Sequence, residues 1–335
     1  MKSYFVKSIF LATASTLAFA GPTAAKWPEK PIELVCTTKP GSGAADWCRM
    51  LAEEFKKPDS LGVPVNVIFK SGGGNHEPSV YVKGKPADGY TMMHVSASFK
   101  GYFNMPHFKA SNTTYNDFSL IARVEKHLYA IAVRCDNPLN IKSWKDLVGY
   151  AKKNPGKLAM GSNKPGSNHH RHHAALFNDF NLNVRFIPYQ GTGKVVKDVV
   201  GKHLPVGFAQ PGKWDAHVKA GTVCPLAVLN EKRLNVGPWK DVPTILEVGG
   251  KYSIPHQWQG LMVKKGTPPE AMAKIAAAAK TVTESENYKK RWLQSQFHVV
   301  PEFHGDAQKL DAYFKDGLNQ ARKFMIEHKI IKEGS

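Results

Sequence analysis

Short apolar runs alternate along this chain with longer segments in which apolar residues recur every three to four positions. The short runs predict strands and the periodic segments predict helices. The predicted strands are Ile32 to Cys36, Val65 to Phe69, Tyr90 to Val95, Tyr129 to Val133, Leu158 to Met160, Val184 to Ile187, Val206 to Ala209, Leu226 to Leu229, Gly260 to Val263 and Phe297 to Val300. The predicted helices are Asp46 to Lys56, Trp144 to Lys153, His169 to Asn178, Lys194 to Val200, Pro269 to Ser285 and Gln308 to His328. This alternation predicts α/β layers with mostly parallel sheets.

Three glycine- and serine-rich loops interrupt the pattern: KPGSGAAD (Lys39 to Asp46), KSGGG (Lys70 to Gly74) and GSNKPGS (Gly161 to Ser167). The first and third each follow a predicted strand and open a predicted helix. Such a loop presents backbone N–H groups at a helix N-terminus, where glycine permits close approach and the helix dipole favours an anion. Two of them indicate a carboxylate or phosphate held between two lobes, although any single loop is also explained by a tight turn without a ligand.

Nucleotide-binding motifs fit these loops poorly. No segment has the order of glycines, lysine and hydroxyl residue that a P-loop requires. The dinucleotide fingerprint is only half met, because Asp46 stands where the third glycine should follow Gly41 and Gly43.

The first 25 residues predict a secretory signal peptide. Lys2 and Lys7 precede an apolar stretch that ends in an AxA pattern at Ala20, with Ala25 as a second exit. We therefore expect an exported, periplasmic protein. No later segment approaches the roughly 20 apolar residues of a membrane span. About 310 residues would remain after cleavage, which favours two domains.

All four cysteines lie in the mature part, and an even count in an exported chain permits two disulfides. We favour Cys36 with Cys48 and Cys135 with Cys224, because the first pair could link a strand to its following helix. Four buried thiols are the alternative. The chain has no CxxC spacing, so a zinc ribbon or redox motif is not predicted.

The formal net charge is +19, and loss of the two signal-peptide lysines leaves +17. This balance suits anionic partners. The export signal argues against nucleic acid as that partner, and the basic residues are scattered over segments that look like solvated helix faces. We expect a basic surface that steers small anions.

Nine stretches in order resemble the periplasmic solute receptors of the tripartite tricarboxylate transporter system, the Bug-type binding proteins. They are WPEKPIELV with PGSG near the start, SGGGN from Ser71, ADGYTMM from Ala87, YNDFSLIARV from Tyr115, NPGKLAMGSNKPGS from Asn154, IPYQGTG from Ile187, HVKAGTVCPLAVL from His217, DVPTILEVG from Asp241, and WQGLMVKKGTPPEAM from Trp258. They span nearly the whole mature chain.

The resemblance implies a type II periplasmic-binding-protein (Venus flytrap) fold, with two α/β lobes joined by two hinge strands. Lobe 1 would comprise 26–126 and 255–335, and lobe 2 would comprise 127–254. The resemblance also implies a monomer that binds a small organic anion, typically a carboxylate, between the lobes and delivers it to membrane permease subunits. A few charge-assisted hydrogen bonds give micromolar affinity, so no cofactor or metal is predicted.

The family site uses loop amides and hydroxyls more than cationic side chains. Carried over by position, the ligand-binding residues would be Thr38, Gly41, Ser42, Gly43, Ala44, Ser96, Ser98, Ser162, Asn163, Gly166, Ser167, His170, Tyr189, Gln190 and Thr192. Two positions depart from the family pattern. When Arg49 is aligned with the arginine of the family, Ala45 stands where an aspartate is usual. Pro205 also stands where the family often has an aspartate. This favours a ligand without an ammonium group.

Two other functions compete with this interpretation. In the run from His169 to His173, helical spacing brings His169 and His173 onto one face, so a divalent metal is geometrically possible. No Asp, Glu or Cys accompanies the run. We expect a partly exposed basic face on which His170 lines the cleft. A secreted hydrolase with Ser42 or Ser167 as nucleophile is the other alternative, but GxSxG is absent and no base is apparent.

Overall fold

The structure is a computed structural model that describes residues 27–251, 254–289 and 298–334. The predicted signal peptide lies outside the described residues, as does Phe297 of the last predicted strand. No helix in the described ranges is long and apolar enough to cross a membrane.

The strands form two sheets, one in each lobe. They are β1 (Ile32–Cys36), β2 (Val65–Phe69), β3 (Thr91–Ser96), β4 (Phe118–His127), β5 (Tyr129–Arg134), β6 (Ala159–Asn163), β7 (Arg185–Tyr189), β8 (Val206–Ala209), β9 (Val223–Leu229), β10 (Gln257–Lys264) and β11 (Val299–His304). The first sheet has the order β11-β4-β10-β3-β1-β2 and the second β7-β6-β8-β5-β9.

Helices connect the strands and cover the sheets. They are α1 (Gly43–Phe55), α2 (Gly72–Lys83), α3 (Phe99–Tyr102), α4 (Pro106–Ala110), α5 (Trp144–Lys153), α6 (Asn168–Asp179), α7 (Thr192–Val200), α8 (Pro211–Lys219), α9 (Pro269–Glu284) and α10 (Ala307–Glu327). Two short 3₁₀ helices span Tyr115–Asp117 and Gly237–Asp241.

The chain crosses between the sheets twice. Only Leu128 separates the end of β4 in the first sheet from the start of β5 in the second, and the chain returns to the first sheet at β10. This confirms the predicted fold of two α/β lobes joined by two hinge strands. The residue boundaries assigned above to the lobes stay a prediction.

The expectation of mostly parallel sheets is wrong. β1 pairs parallel with β2 and β3, and β6 pairs parallel with β7 and β8. The strands that enter a sheet at the two crossings are antiparallel to both of their neighbours. β10 is antiparallel to β3 and β4, and β5 is antiparallel to β8 and β9. A strand that carries the chain from one lobe into the other enters its sheet without a βαβ crossover, which removes the constraint that makes strands parallel.

Each sheet has an apolar cluster on both faces. Leu34 and Leu261 point into one cluster of the first lobe, and their neighbours Val35 and Met262 point into the other. This alternation follows from the two-residue period of a strand. The second lobe repeats the arrangement. Both sheets are therefore rigid platforms whose loops can be held in fixed positions.

The structure confirms the favoured cysteine pairing and not the four-thiol alternative. Cys36 bonds to Cys48 and links β1 to α1, and Cys135 bonds to Cys224 and links the end of β5 to β9. The first disulfide fixes the loop that follows β1 at both ends.

Candidate functional site

A cavity of about 450 Å³ lies between the lobes, at the carboxyl ends of strands from both sheets. Loops after β1 and β3 line it from the first lobe, and loops after β6, β7 and β8 line it from the second. The strands at the two crossings, β4 and β5 at the first and β10 at the second, contribute its inner wall. Ligands of open α/β sheets bind in such crevices, because loop residues from several strands converge there.

The first glycine loop supplies one continuous stretch of this cavity, from Thr37 to Ala44. The Ser42 hydroxyl caps α1 by accepting a hydrogen bond from the Ala45 N–H at 3.2 Å, and it lies 2.9 Å from the hydroxyl oxygen of Thr38. Gly41 has φ +80°, a conformation that side chains disfavour. The loop therefore brings the start of α1 to the cavity, as the sequence predicted.

The second helix start at the cavity belongs to α7 and not to the third glycine loop. Residues from Gln190 to Lys194 line the cavity, and Thr192 donates a hydrogen bond to Gln210 Oε1 at 2.6 Å. The amides of the third loop are used within the protein. The Gly166 N–H donates to His170 Nδ1, and the Asn168 N–H donates to the Ser98 hydroxyl.

Ten of the fifteen predicted site residues line the cavity: Thr38, Gly41, Ser42, Gly43, Ala44, Ser96, Ser98, Asn163, Gln190 and Thr192. The structure thus brings residues from both lobes together in one place. Their role as ligand contacts stays a prediction.

The other five predicted residues lie outside the cavity lining. They are Ser162, Gly166, Ser167, His170 and Tyr189. The Ser167 hydroxyl is fully buried and caps α6 by accepting from the His170 N–H. Tyr189 donates its hydroxyl to Asp198 at 2.6 Å and lines a separate cavity near the amino ends of β6 and β8. These contacts give the two side chains structural partners.

Five lysines that sequence reasoning did not place at the site surround the cavity. We call them the rim lysines: Lys39, Lys164, Lys194, Lys197 and Lys213. None of them forms a salt bridge with a described carboxylate, and no Asp or Glu is among the described lining residues. Two of the five, Lys39 and Lys164, lie in Gly- and Pro-containing loops after a strand, which is a signal visible in the sequence; the other three lie in the first two turns of α7 and α8.

Two rim lysines are half-buried, and burial lowers the pKa of each. For Lys164 the effect of burial is reinforced by Lys39. For Lys213 it is partly offset by Asp46 in the first turn of α1. An ammonium group taken out of water without an opposite charge is destabilised, and an anion beside it restores the charged form. Both groups therefore favour a negatively charged ligand.

The inner wall of the cavity carries a chain of buried hydrogen bonds. His94 Nε2 donates to Gln259 Oε1 at 2.6 Å, and the Thr37 hydroxyl lies 2.8 Å from His94 Nδ1. Gln259 in turn donates to Glu125, whose carboxylate also accepts from the Tyr288 hydroxyl. Burial lowers the pKa of His94 to about 4 and keeps the ring neutral. This network fixes the inner wall across both hinge strands of the first sheet.

The expectation of a partly exposed basic face on α6 is wrong. Apart from His170, the run from His169 to His173 is buried. Burial lowers the pKa of His169 and His173 to about 3, so these rings are neutral. They are packed as aromatic core residues because α6 lies against the second sheet. It is His169, and not His170, that lines the cavity. The ring of His170 stacks on that of Phe186, with the ring centroids 3.9 Å apart.

The metal and hydrolase alternatives gain no support from the described residues. The run of α6 histidines does not form a group of three converging metal ligands there. The rings instead diverge toward different aromatic neighbours, Phe208 for His169 and Phe177 for His173. Among the described residues, Ser42 and Ser167 form hydrogen bonds with backbone amides and with Thr38, and no imidazole base is among these partners.

Comparison with known proteins identifies the family. Residues 48–330 match the tripartite tricarboxylate transporter family receptors. The chain belongs to this family. A Cupriavidus necator relative, the UPF0065 protein in the gbd 5′ region, is 31% identical over 311 residues, which are 90% of this chain and 89% of that protein.

Solved structures show the same fold. The periplasmic binding protein BugD has a TM-score of 0.76 at 25% identity, covering 92% of this chain and 100% of its own. MatC from Rhodopseudomonas palustris, solved with bound malate, has a TM-score of 0.75 at 18% identity, covering 89% of this chain and 99% of its own. The family is one of receptors, and BugD is a periplasmic binding protein.

Proposed function

We propose that this protein is a periplasmic receptor that binds a small organic anion, a carboxylate, in the cavity between its lobes. It would deliver this anion to the membrane permease subunits of a tripartite tricarboxylate transporter. Export rests on the signal peptide predicted from the sequence, and delivery rests on membership of the family.

The observation that carries the proposal is the charge of the cavity. Five lysines without salt bridges to described carboxylates surround a space whose described lining has no acidic side chain. The starts of α1 and α7 add the positive ends of two helix dipoles. The malate bound to MatC is a carboxylate of the proposed kind.

A few hydrogen bonds from the protein to the anion supply enough free energy for micromolar affinity. Micromolar affinity corresponds to about 8 kcal/mol, and a hydrogen bond to a charged group is worth roughly 1.5 to 3 kcal/mol. Four or five such bonds reach that value after the cost of desolvation and of the ligand's lost translational and rotational freedom is subtracted. Because the donors lie on both lobes, only a closed arrangement satisfies both ends of the anion, and binding is thereby coupled to closure.

A thermal-shift screen against mono-, di- and tricarboxylates, aromatic acids, amino acids and Zn²⁺ tests this function. A ligand that binds only the folded state raises the melting temperature by mass action. We expect at least one carboxylate to do so. Failure of every organic anion to stabilise the protein would contradict the proposal, and stabilisation by Zn²⁺ alone would favour the metal alternative.

Two lysines on α8 provide a matched pair of variants. Lys213 lines the cavity, whereas Lys219 pairs with Asp215 at 2.7 Å and lies outside the lining. Lys213→Gln should weaken binding of the carboxylate by roughly tenfold to a hundredfold, the loss of one charge-assisted bond. Lys219→Gln should leave affinity unchanged. Equal effects of the two changes would mean that the cavity is not the site.

A further inference from the structure

A second cavity of about 450 Å³ lies in the second lobe. It shares none of its described lining residues with the cavity between the lobes. Its described lining comes from the end of β5 and the loop after it, from α5, from β6 and β7, and from the end of α7 with the segment before β8. The function proposed above makes no use of this space.

The second cavity forms because β6 carries small residues where β7 carries large ones. Parallel register pairs Ala159 with Arg185 and Gly161 with Ile187, and alternate residues of a strand face the same side of the sheet. The small side chain of Ala159 leaves the sheet uncovered at this point, and it lines the cavity. Two residues further along β6 the space is closed, because an added Cβ at Gly161 would lie 2.4 Å from a side-chain carbon of Leu204.

The walls of the second cavity are largely apolar. Tyr150 and Ile187 are only half-buried, although they pack against the two apolar clusters of the second lobe. The other apolar walls are Pro138, Leu139, Val199, Leu204 and Pro205. A cavity of this size, with mostly apolar walls and a few polar groups, is typical of small-molecule sites. A ligand whose apolar body covers these walls removes their surface from water, which favours binding.

Four cationic side chains also line the second cavity, and two of them have a carboxylate partner. Asp136, which lies outside the lining, accepts a hydrogen bond from Arg134 at 2.5 Å and pairs with Lys202 at 3.0 Å. Lys157 and Arg185 form no salt bridge with a described carboxylate, and the described lining contains no Asp or Glu. The cavity therefore has an excess of positive charge.

The exposure of Lys157 and Arg185 determines what each part of a ligand contributes. Both residues are exposed, and an ion pair in contact with water adds little to affinity. A small hydrophilic anion is therefore not retained by charge alone. An apolar body supplies affinity by covering the walls, and the guanidinium of Arg185 selects a carboxylate, because two parallel N–H donors match its two oxygens.

We propose that the second cavity is a binding site for an amphipathic carboxylate, which is an apolar ring or chain that carries one carboxylate group. The apolar body lies against Ala159, Ile187 and Leu204, and the carboxylate lies at Arg185 and Lys157. This ligand is separate from the anion between the lobes, and its site does not depend on the function proposed above.

Three probes titrated into the full mature chain test the chemistry of this site: 4-ethylbenzoate, its uncharged counterpart 4-ethylbenzamide, and acetate. Methyl NMR locates the binding, because Leu139, Ile187, Val199 and Leu204 have methyl groups and line the cavity. We expect 4-ethylbenzoate to shift these signals saturably and to bind at least threefold more tightly than 4-ethylbenzamide and at least tenfold more tightly than acetate. A smaller preference over either probe, or methyl signals that do not move, would overturn the proposal.

Ala159→Leu tests whether the apolar body occupies this space. The larger side chain would fill the cavity above β6, so affinity for 4-ethylbenzoate should fall at least tenfold. A smaller loss in a cooperatively melting variant would contradict the proposal. If this variant does not fold, the methyl shifts of the wild-type protein still decide where the probe binds.

Arg185→Gln and Lys145→Gln form a matched pair, because each removes one positive charge from an exposed position of the second lobe and only Arg185 lines the cavity. Arg185→Gln should lower affinity for 4-ethylbenzoate at least threefold and leave affinity for 4-ethylbenzamide unchanged. Lys145→Gln should change neither. Equal effects of the two changes would show that Arg185 does not bind the carboxylate. Lys213→Gln, which alters the cavity between the lobes, should leave this binding unchanged, so the two sites are tested independently.

Discussion

Ser42 and Ser167 perform the same local task at the starts of two helices, but only one of them faces the cavity. Each hydroxyl caps its helix by accepting a backbone N–H bond, as serine does at an N-cap. Ser42 also lines the cavity, whereas Ser167 is fully buried outside the lining. The hydroxyl of Ser167 therefore contributes to stability, and that of Ser42 can contribute to both stability and binding.

Alanine at each position should separate these roles. Both changes should lower the free energy of unfolding by about 1 kcal/mol, the usual cost of a lost N-cap. Ser42→Ala should in addition weaken carboxylate binding, and Ser167→Ala should leave it unchanged. Urea titration gives the stabilities and calorimetry the affinities. A Ser167→Ala protein of normal stability but reduced affinity would show that the third glycine loop does contact the ligand.

The buried histidines of α6 make this helix sensitive to pH. His169, His172 and His173 pack among aromatic rings, and burial lowers the pKa of each below the ordinary 6.5. In the unfolded chain the same rings regain that ordinary value. Between pH 6.5 and about 3 the unfolded state therefore binds more protons than the folded state.

Stability should accordingly be full above about pH 7 and should fall as the pH drops through the histidine range. Each buried neutral histidine is expected to contribute about 1.4 kcal/mol per pH unit to the slope. Urea unfolding between pH 7.5 and 5.5 measures this slope of stability against pH. The interval lies above the pH range in which carboxylates titrate. His172→Gln should flatten the slope, and the same change at the exposed His203 should not. A stability that is constant over this interval would contradict the buried, neutral state of these rings.

Sequence periodicity located most elements because their apolar faces are regular. The predicted bounds of β1, β2, β8 and α5 coincide with those of the structure. β4 was missed because its pairing with both β10 and β11 buries polar residues, such as Glu125, that break the apolar pattern. α2 was missed because it begins with Gly73, Gly74 and Asn75 in left-handed conformations and contains Pro78, features that oppose a helix in any local assessment.

The candidate site was predictable only in part, because its loops come from separate segments. A glycine loop after a strand correctly indicated the cavity position of Gly41 to Ala44. The sequence could not reveal that the N–H groups near Ser167 are already bonded to Ser98 and His170. Nor could it reveal that Lys39 of the first lobe and Lys213 of the second line the same cavity. Both facts depend on how the lobes pack against each other.

The lobes contact each other through closely packed backbone. An added Cβ at Gly101 of α3 would lie 1.9 Å from the carbonyl oxygen of Gly166 in the second lobe. Nearby, the Asn168 N–H donates to Ser98, and Arg171 donates to the carbonyl of Ala97. Absence of a side chain at residue 101 is therefore a condition for this arrangement of the lobes.

Gly101→Ala should hinder the approach of the lobes without disturbing the core of either one. We expect affinity for the carboxylate to fall by about tenfold or more, because less of the protein populates the arrangement that binds. Gly149→Ala in α5 is the control, since an added Cβ there meets open space. Calorimetry on both variants measures the effect. Wild-type affinity in Gly101→Ala would mean that this contact is not part of the ligand-bound arrangement.

The central claim is that one anion is held by both lobes at once, with α1 and Lys39 on one side and α7, Lys164 and Lys213 on the other. Small-angle X-ray scattering with and without a saturating carboxylate from the screen tests it most directly. The account predicts a smaller radius of gyration with the ligand, because closure brings the lobes together. An unchanged scattering profile, with saturation confirmed by calorimetry, would contradict it.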